Sequence, residues 1–449
     1  MKNKRKIISI LLSITIIVFF PILSISKDNK NYFLDEDNNK IFRENLSNIC
    51  LTPGENESMI NFCWYSTNEN DKSMIKIWDN EGIEKIYAGK RKKLKNGFIS
   101  NKVTVKDLKE NTVYYYSYKV DKGWSKPIEY KTKNPKEFTF AIMGDPQIGA
   151  SWREYNSHEE SIKRDTFKWN QVIKKIVEKY DNLSFIVCVG DETNTKEEID
   201  SQAKINISDL EYCGFLYPRY LRYIPIANAI GNHDKDNKNF YNHFHMPNTS
   251  SLGKTTAGND YYFTYGDAIF LFLNSNNLNI NEHKKFIEDS LKQNENIKWK
   301  IAVFHHDIYG CGVHCNDKDI KKLRDKLPNI LESNNIDLVL NGHDHIYSRT
   351  YMLKNNKTKK NFSVEKFNNS NKKIEIINNP KGITYITAGS STGSKFYENT
   401  NKNKKYIKYK YDEKNPIYTM VKISQNYMII ETYKVDGDSI IDNTIIINK

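Results

Sequence analysis

The sequence predicts two folded domains: an all-β sandwich at residues 48–133 and an α/β (α+β) layered sandwich at residues 137–449. Three observations support this division. The 449 residues exceed the usual size of one domain. Residues 48–133 carry strand patterns without a convincing helix, whereas strand and helix patterns alternate from residue 137 onward. A hydrophobic fraction of 38% with 12% aromatic residues is enough for two cores and excludes a disordered chain.

The predicted sandwich is defined by short alternating runs. Its clearest strand candidates are Met59–Tyr65, Met74–Trp78 and Thr112–Val120. Several short strands at regular spacing indicate a β-sandwich. The stretch VTVKDLKENTVYYYSYKV also resembles the late strands of a fibronectin type III domain, with a tyrosine corner at Leu108, Thr112 and Tyr114. This domain carries no candidate catalytic residue.

The second domain alternates apolar strand candidates with amphipathic helices, which indicates a layered α/β architecture. The segment at 354–381 is rich in Asn and Lys and is predicted to be a surface insertion, and the tail at 418–447 is predicted to complete a sheet. The predicted strands are Phe138–Met143, Leu183–Val189, Ile224–Ile230, Tyr261–Tyr265, Ala268–Leu273, Lys298–Phe304 and Ile336–Leu340. The predicted helices are Asp165–Lys179, Asn281–Lys292 and Asp317–Asn334.

The N-terminal 26 residues have the composition of an export signal. A basic start precedes an apolar run from Ile7 to Phe20, and the small residues Ser24 and Ser26 follow. This layout is typical of a secretory signal peptide. The apolar run approaches membrane-spanning length, so an uncleaved N-terminal anchor stays open as the alternative. Residues 27–47 are polar and predicted to be a linker, and the rest of the chain is expected to be secreted or extracellular.

The net charge bears on nucleic-acid binding, and the cysteine content bears on disulfide formation. The net charge is +13, with basic residues scattered among acidic ones, so the dense run Lys90–Lys95 is interpreted as a solvated loop and no nucleic-acid partner is expected. Six cysteines in an exported chain permit disulfides. The candidate pairs are Cys50 with Cys63 and Cys311 with Cys315; Cys188 is predicted to be a buried thiol, and six free cysteines are the alternative.

Five short motifs concentrate carboxylate, amide and imidazole groups, and four of them follow a strand-like run. They are GDPQ at Gly144–Gln147, GDETN at Gly190–Asn194, GNHD at Gly231–Asp234, HH at His305–His306 and GHDH at Gly342–His345. Layered α/β domains place ligands at the carboxyl ends of their strands. Side chains of these types can hold two metal ions side by side, and such a pair favours hydrolysis of phosphate esters.

These motifs resemble the calcineurin-like metallophosphoesterase superfamily and, with the fibronectin-like front domain, the purple acid phosphatase family. The family pattern GDxG, GDxxY, GNH(D/E), VxxH and GHxH matches GDPQ, GDETN, GNHD, AVFH and GHDH. The resemblance implies two metal ions, which Fe, Zn, Mn or Mg could supply. It implies that the first ion is held by Asp145, Asp191 and His345, that Asp191 bridges, and that the second ion is held by Asn232, His305 and His343.

Two positions depart from the family pattern. The metal-binding tyrosine of the family falls at Asn194, and the histidine that the wider superfamily often carries after its first aspartate falls at Gln147. Either amide could bind the first ion through its oxygen or hold a water molecule. The colour of the family arises from a tyrosinate bound to Fe(III), so the resemblance predicts that this protein is not purple.

The resemblance also assigns residues around the ions. His233 matches the position beside the metal-binding asparagine and is the candidate general acid. Asp234 would orient His233 or, alternatively, cap a turn, and His314 resembles a second-sphere substrate histidine. His306 would support the neighbouring ligand or pack in the core. The remaining histidines are interpreted as surface or structural residues: His158, His243, His245 and His283.

The function expected from these features is hydrolysis of small phosphate monoesters by a metal-activated hydroxide, in an exported enzyme. One alternative is a phosphodiesterase or nucleotide pyrophosphatase that uses the same ions. Another alternative, from a different class, is a cell-surface binding protein whose phosphatase domain is vestigial. The sequence leaves the natural substrate and the oligomeric state open.

Overall fold

The computed structural model describes residues 48–70, 72–120, 123–154, 157–195, 207–355, 357–359, 363–366, 373–400 and 404–449. The predicted signal or anchor at 1–26 and the predicted linker at 27–47 lie outside these residues. Within the described part of the chain, none of the helices combines the length and the apolar character needed to cross a membrane.

The first domain consists of two antiparallel sheets that face each other. One sheet has the order β1-β2-β6-β5, and the other has the order β4-β3-β7, with β8 and β9 also paired to β7. The strands are β1 (Cys50–Pro53), β2 (Ile60–Ser66), β3 (Met74–Asp79), β4 (Glu84–Ala88), β5 (Lys90–Lys93), β6 (Ile99–Val105), β7 (Val113–Val120), β8 (Gly123–Trp124) and β9 (Ile128–Lys131).

The core of this sandwich uses the alternation that the sequence shows. Phe62 of the first sheet and Tyr116 of the second are both buried, and their ring centroids are 4.8 Å apart. Removal of such large apolar side chains from water contributes about 1.5–3 kcal/mol each. The Tyr114 hydroxyl accepts a hydrogen bond from the backbone N–H of Lys109 at 2.9 Å, which is the contact expected of a tyrosine corner.

The second domain contains two larger mixed sheets. The first has the order β12-β11-β10-β24-β25-β26-β21-β20, and the second has the order β13-β14-β15-β16-β22-β17-β23. Their strands and a separate hairpin, β18–β19, are β10 (Glu137–Met143), β11 (Leu183–Cys188), β12 (Ile226–Asn228), β13 (Tyr261–Tyr265), β14 (Ala268–Phe272), β15 (Trp299–Val303), β16 (Leu338–Asn341), β17 (Tyr347–Thr350), β18 (Met352–Lys354), β19 (Lys357–Lys359), β20 (Ser363–Lys366), β21 (Lys373–Asn378), β22 (Thr384–Thr387), β23 (Ile407–Tyr411), β24 (Ile417–Ser424), β25 (Tyr427–Lys434) and β26 (Thr444–Asn448).

The two sheets meet through aromatic side chains. Phe140 and Phe185 of the first sheet pack edge-to-face on Phe270 of the second, with ring centroids 5.2 and 5.3 Å away. Strands β10, β11 and β12 are parallel to one another, and so are β14, β15, β16 and β22. The loops that follow these strands therefore gather at one edge of the double sheet, where ligands bind in such folds.

Helices cover the outer faces of the sheets and complete the predicted layers. Trp169 stacks on Phe215 at 5.2 Å and joins two helices on one side, while Phe286 and Leu327 pack on the second sheet on the other side. The α-helices are α1 (His158–Lys179), α2 (Ile207–Phe215), α3 (Lys238–His243), α4 (Ile280–Lys292) and α5 (Lys318–Ser333), and short 3-10 helices lie at Ala150–Glu154 and Arg219–Arg222.

Three sequence-based boundaries differ from the structure. The basic run predicted as a loop forms the exposed edge strand β5, because its backbone pairs with β6. Helix α1 begins at His158 rather than Asp165, since Ser157 caps it by accepting a hydrogen bond from the Glu160 N–H. The predicted surface insertion contributes β21, which pairs in parallel with β26 inside a sheet.

The cysteines form neither of the two predicted disulfides. None of the six cysteines is in a disulfide and all six are buried, which agrees with the alternative prediction. Cys50 and Cys63 lie opposite each other on paired strands, but the Cys63 thiol donates to the Asn242 carbonyl at 3.2 Å and the Cys50 thiol points to the Leu51 carbonyl. Cys188 is a buried thiol within β11, as predicted.

The sandwich is attached to the segment 241–245 of the second domain. The carbonyl of His245 accepts hydrogen bonds from Thr52 at 2.6 Å and from Asn61 at 2.9 Å. The His243 ring stacks between Tyr65 and Tyr212, with centroid distances of 4.2 and 4.8 Å. His243 Nε2 is buried without a hydrogen-bond partner among the described residues, so this imidazole must stay neutral.

The neutral state of His243 predicts a pH dependence of stability. Burial, followed by the charge of Lys102, lowers the pKa of His243 to about 3. An unfolded histidine titrates near pH 6.5, so between about pH 3 and about pH 6.5 only the unfolded chain binds a proton at this residue. The stability of the folded protein therefore falls as the pH drops below about 6.5. The loss from this group is roughly 1.4 kcal/mol per pH unit.

We therefore expect His243→Phe to resist acid better than the wild-type chain, because phenylalanine fills the same space without a proton-binding site. Between about pH 7 and about pH 4.5 its free energy of unfolding should fall by about 2–3 kcal/mol less, as measured by urea unfolding at both pH values. Equal losses in the two proteins would contradict this account of the junction.

Candidate metal centre

Four of the five sequence motifs follow sheet strands, and the structure brings all five together. Gly144 follows β10, Gly190 follows β11, His305 follows β15 and Gly342 follows β16, while the GNHD motif comes two residues after β12. The backbone turns sharply at these points: φ is positive at Asp145, Asp191, His343 and His345. Side chains other than glycine seldom adopt this conformation, and such residues cluster at functional sites.

Gly190 permits the close contact between the two sheets at this point. Its φ is +103°, and a Cβ added there would lie 2.7 Å from His305 Nδ1 and 2.9 Å from the Gly231 nitrogen. A larger residue would therefore force the GDETN loop away from the HH and GNHD loops.

Asp145, Asp191 and His345 form the first group of ligands. Their ligand atoms all lie within 4.8 Å of one another, and all three residues are buried. His345 Nδ1 donates to the Lys395 carbonyl at 2.7 Å, and this leaves Nε2 without a proton and facing Asp145 Oδ1 at 3.6 Å. A carbonyl partner on one ring nitrogen fixes the tautomer that binds metal through the other.

Asn232, His305 and His343 form the second group. Asn232 Oδ1 is 3.0 Å from both His305 Nε2 and His343 Nδ1, and the two ring nitrogens are 3.2 Å apart. His305 Nδ1 donates to the Val189 carbonyl at 3.0 Å, so its Nε2 is directed at the group. Asp191 Oδ1 lies 3.4 Å from that Nε2, which places Asp191 between the two groups.

The electrostatics fit cations at this position. Burial, and then the neighbouring Asp191, raises the pKa of Asp145 to about 8, although His305 opposes the rise. Burial also disfavours a charged Asp191, but the His305 and His233 imidazoles outweigh it and hold the Asp191 pKa well below its usual range. Burial would lower the pKa of His305, yet Asp191 and Asp145 raise it to about 9. Bound protons on Asp145 and His305 thus offset the charge repulsion within this group. The same carboxylates and imidazoles are ligands that suit metal ions.

The two departures from the family pattern differ in their surroundings. Gln147 is fully buried with φ at 40°, and among the described residues neither atom of its amide has a hydrogen-bond partner. The backbone N–H of Gln147 donates to the Asp191 carbonyl at 2.9 Å, so Gln147 is fixed beside the first group of ligands. A buried amide without a partner fits an ion or a water molecule. Asn194 contributes through its backbone, whose carbonyl lies 2.5 Å from His233 Nδ1.

The three predicted catalytic residues surround the ligand groups. The His233 backbone N–H donates to Asp191 Oδ1 at 2.9 Å, and its ring Nδ1 donates to the Asn194 carbonyl. Asp234 Oδ2 accepts from the N–H groups of Gly231 and Asp191, each at 2.9 Å. Through these hydrogen bonds Asp234 caps the GNHD turn, which is the alternative to orienting His233.

His314 and His306 flank His343 on two sides. The ring centroids of His314 and His306 lie 4.7 and 4.9 Å from that of His343. The His314 N–H donates to Asp344 at 3.1 Å and its Nδ1 contacts Asp317 at 2.8 Å. His306 Nδ1 contacts the Ser275 hydroxyl at 2.8 Å. His306 is thus buried against a candidate ligand, whereas His314 is partly exposed.

Tyr397 lies in the site, although no motif in the sequence around it predicted this. Its ring lies 4.8 Å from His345 and 4.8 Å from His314, centroid to centroid. Burial and the nearby Asp191 and Asp145 carboxylates raise the pKa of its phenol. The residue lies in an irregular segment after β22, where no motif or periodicity marks it.

Comparison with known proteins agrees with this geometry. Residues 138–347 match the family model of the calcineurin-like phosphoesterases, and the chain therefore contains a calcineurin-like phosphoesterase domain. This segment runs from the start of β10 to the residues after the GHDH motif and includes all the candidate ligands.

Two plant proteins are similar to short stretches of this chain. Purple acid phosphatase 4 of Arabidopsis thaliana is 52% identical over 48 residues, which is 11% of this chain and 13% of that protein. Purple acid phosphatase 17 of the same plant is 44% identical over 59 residues, 13% of this chain and 16% of that protein. The aligned part thus spans about an eighth to a sixth of the length of these relatives.

Solved structures show that the similarity of fold extends further. Purple acid phosphatase PPD1 from yellow lupin superposes with a TM-score of 0.68 at 16% identity, covering 89% of this chain and 74% of that one. PhoD superposes with a TM-score of 0.56 at 11% identity, covering 89% of this chain and 92% of the other. The chain therefore shares its fold with a purple acid phosphatase structure over 89% of its length.

The position of Tyr397 leads to a prediction about metal retention. We expect Tyr397→Leu to weaken Zn²⁺ binding by about tenfold, because loss of the ring frees His345 to rotate and supporting groups around ligands typically matter this much. Tyr397→Phe keeps the ring and should bind as the wild type does. Competition with a chelator measures both affinities, and an unchanged affinity in the Leu variant would show that the contact does not support the ligand.

Proposed function

We propose that this protein is an exported, metal-dependent phosphoesterase that hydrolyses small phosphate monoesters. The observation that carries the proposal is the buried convergence of two ligand groups with Asp191 between them. Asp145, Asp191 and His345 would hold one ion, and Asn232, His305 and His343 would hold the other. Two such ions supply Lewis acidity, which makes water a nucleophile near neutral pH and neutralises charge on the phosphate oxygens.

The residues of the chain itself would position the substrate and move a proton. His233 is half-buried, its Nδ1 is bound to the Asn194 carbonyl, and its Nε2 could give a proton to the leaving oxygen of the ester. His314 lies beside His343 on a partly exposed loop, where it would contact the phosphate. Asp234 acts indirectly, since it braces the backbone on both sides of the turn that carries Asn232 and His233.

Export and the choice of substrate rest on the sequence. The basic and apolar composition of residues 1–26 supports export, and the net charge of +13 favours anionic substrates. Gln147 supports a first ion bound without a phenolate, because its side-chain amide has no hydrogen-bond partner among the residues that the structure describes. The choice among Fe, Zn, Mn and Mg stays open, because these donors suit more than one of them.

The catalytic role of His233 can be tested with two leaving groups. His233→Ala should lower kcat by roughly 10²- to 10⁴-fold for an alkyl phosphate, whose leaving oxygen needs a proton. The loss should be clearly smaller for p-nitrophenyl phosphate, whose leaving group departs without one. Steady-state kinetics on both esters measure the difference, and equal losses would show that His233 does not act as the general acid.

Activity itself is tested with matched carboxylate variants. Asp191→Asn should abolish hydrolysis of p-nitrophenyl phosphate because it removes the charge that both ligand groups share, whereas Asp289→Asn, on the exposed face of α4, should leave it unchanged. Bis-p-nitrophenyl phosphate tests the diesterase alternative and should react more slowly. Full activity of Asp191→Asn would contradict the proposed function, and an inactive, metal-free wild type would favour a binding protein.

The absence of the family tyrosine predicts a spectrum. With Asn194 in its place, the iron-loaded protein should lack an intense visible charge-transfer band. Absorption spectroscopy of the Fe(III) form measures this. An intense band would contradict the prediction, and its loss in Tyr397→Phe would then identify Tyr397 as the phenolate, since this is the tyrosine whose ring contacts His345.

A further inference from the structure

A second cavity lies between the two domains, away from the metal centre. Its volume is about 590 Å³, and residues 127–133 of the sandwich, 177–183 at the end of α1 and 219–224 line it. We refer to it as the junction cavity. Leu183, one of its lining residues, begins β11, whereas Asp191 follows the end of the same strand. A strand of six residues spans roughly 20 Å, so the two sites are at opposite ends of the sheet.

The walls of the junction cavity carry more positive than negative charge. Lys131 and Lys133 come from the sandwich, and Arg219 and Arg222 come from the second domain. Glu129 and Asp181 are the acidic residues among the lining groups. Four cations therefore face two carboxylates, and cations concentrated in one concave site attract anions.

The strand alternation of β9 directs its charged side chains to the junction cavity. Tyr130 and Thr132 are buried towards the sandwich, while Glu129 and Lys131 are exposed on the other side of the strand and line the cavity. Lys133 continues this face beyond the end of β9 and donates to the Asp181 carbonyl at 2.5 Å. The charges therefore belong to ordered backbone that connects the two domains.

Two of the cations lack full compensation. Arg222 Nη2 donates to Asn48 Oδ1 at 2.8 Å, but Arg222 Nε is buried and has no hydrogen-bond partner within the described ranges. Burial, together with the charge of Lys131, lowers the pKa of Lys133. The guanidinium charge of Arg222 and the two lysines that repel each other together give this side of the cavity a positive potential, which favours an anion.

The remaining walls are apolar and aromatic. Ile128, Val177, Tyr180 and Tyr223 are among the residues that line the junction cavity. A volume of about 590 Å³ lies within the usual range for small organic ligands and is far larger than a bare phosphate requires. The cavity thus combines four cationic residues with two aromatic residues, and aromatic side chains favour contact with a flat ring.

We propose that the junction cavity binds a small aromatic organophosphate anion, at a site separate from the metal centre. The phosphate would contact the side chains of Lys131 and Arg219, and the aromatic part would pack against Tyr180 and Tyr223. Such a ligand contacts both domains at once. The proposal does not depend on the hydrolytic function, because none of the candidate metal ligands lines this cavity.

The test uses phenylphosphonate, an aromatic phosphorus anion that has no ester bond to hydrolyse. Calorimetry on the full-length, metal-loaded protein counts the molecules bound per chain. Lys131→Gln/Arg219→Gln should bind one molecule fewer than the wild type, while its hydrolysis of p-nitrophenyl phosphate stays within about twofold. Lys126→Gln changes the charge of an exposed lysine outside the lining and should not alter the count.

Two further arms identify the chemistry of the ligand. Inorganic phosphate should occupy the junction cavity at least about tenfold more weakly than phenylphosphonate, because it cannot use the tyrosine rings. Benzyl alcohol, which has the ring without the charge, should not bind. The same count in the double variant as in the wild type, or equal affinity for phosphate and phenylphosphonate at this site, would overturn the proposal. Loss of hydrolysis without loss of this binding event would bear on the proposed function alone.

Discussion

The burial of the Asp191 carboxylate between two sheets is the constraint on which the site depends. Asp191 is 2% exposed, and its Oδ1 lies 3.4 Å from His305 Nε2, a residue of the other sheet. A carboxylate without compensation in such a place would cost several kcal/mol. The compensation comes from the His233 N–H and from imidazoles on different loops, so the loops can come together only when all of them carry the right groups.

The rest of the fold holds these loops in unusual backbone conformations. Positive φ values at Asp145 and Asp191 turn both carboxylates inward, and the side chain of Asp234 braces the neighbouring turn. The sandwich supports the same region from a distance. It contacts the segment 241–245, a few residues after the GNHD motif. Thr52 and Asn61 hydrogen-bond to this segment, and the ring of Tyr65 stacks on it. The front domain therefore stabilises the phosphoesterase domain without supplying a catalytic group.

The layered fold and the meeting of the motifs could be predicted from the sequence, because the strand patterns end where the candidate ligands begin. The sequence could not reveal what depends on long-range packing. Tyr397 reaches His345 from a loop without a pattern, and β21 joins a sheet from a segment whose composition resembles a surface insertion. The cysteine spacing suggested disulfides, yet the Cys63 thiol turns to Asn242 across the junction, which no local spacing can show. The early turns of α1 are polar, so only the Ser157 cap places its start.

The most direct test of the central claim is the location of metal ions by anomalous diffraction from crystals of the metal-loaded protein. The account predicts two peaks about 3.5–4 Å apart, with Asp191 in contact with both. One peak should lie beside Asp145 and His345, and the other should lie beside Asn232, His305 and His343. A single peak, or two peaks that Asp191 does not join, would contradict the claim that this buried carboxylate organises a two-metal site.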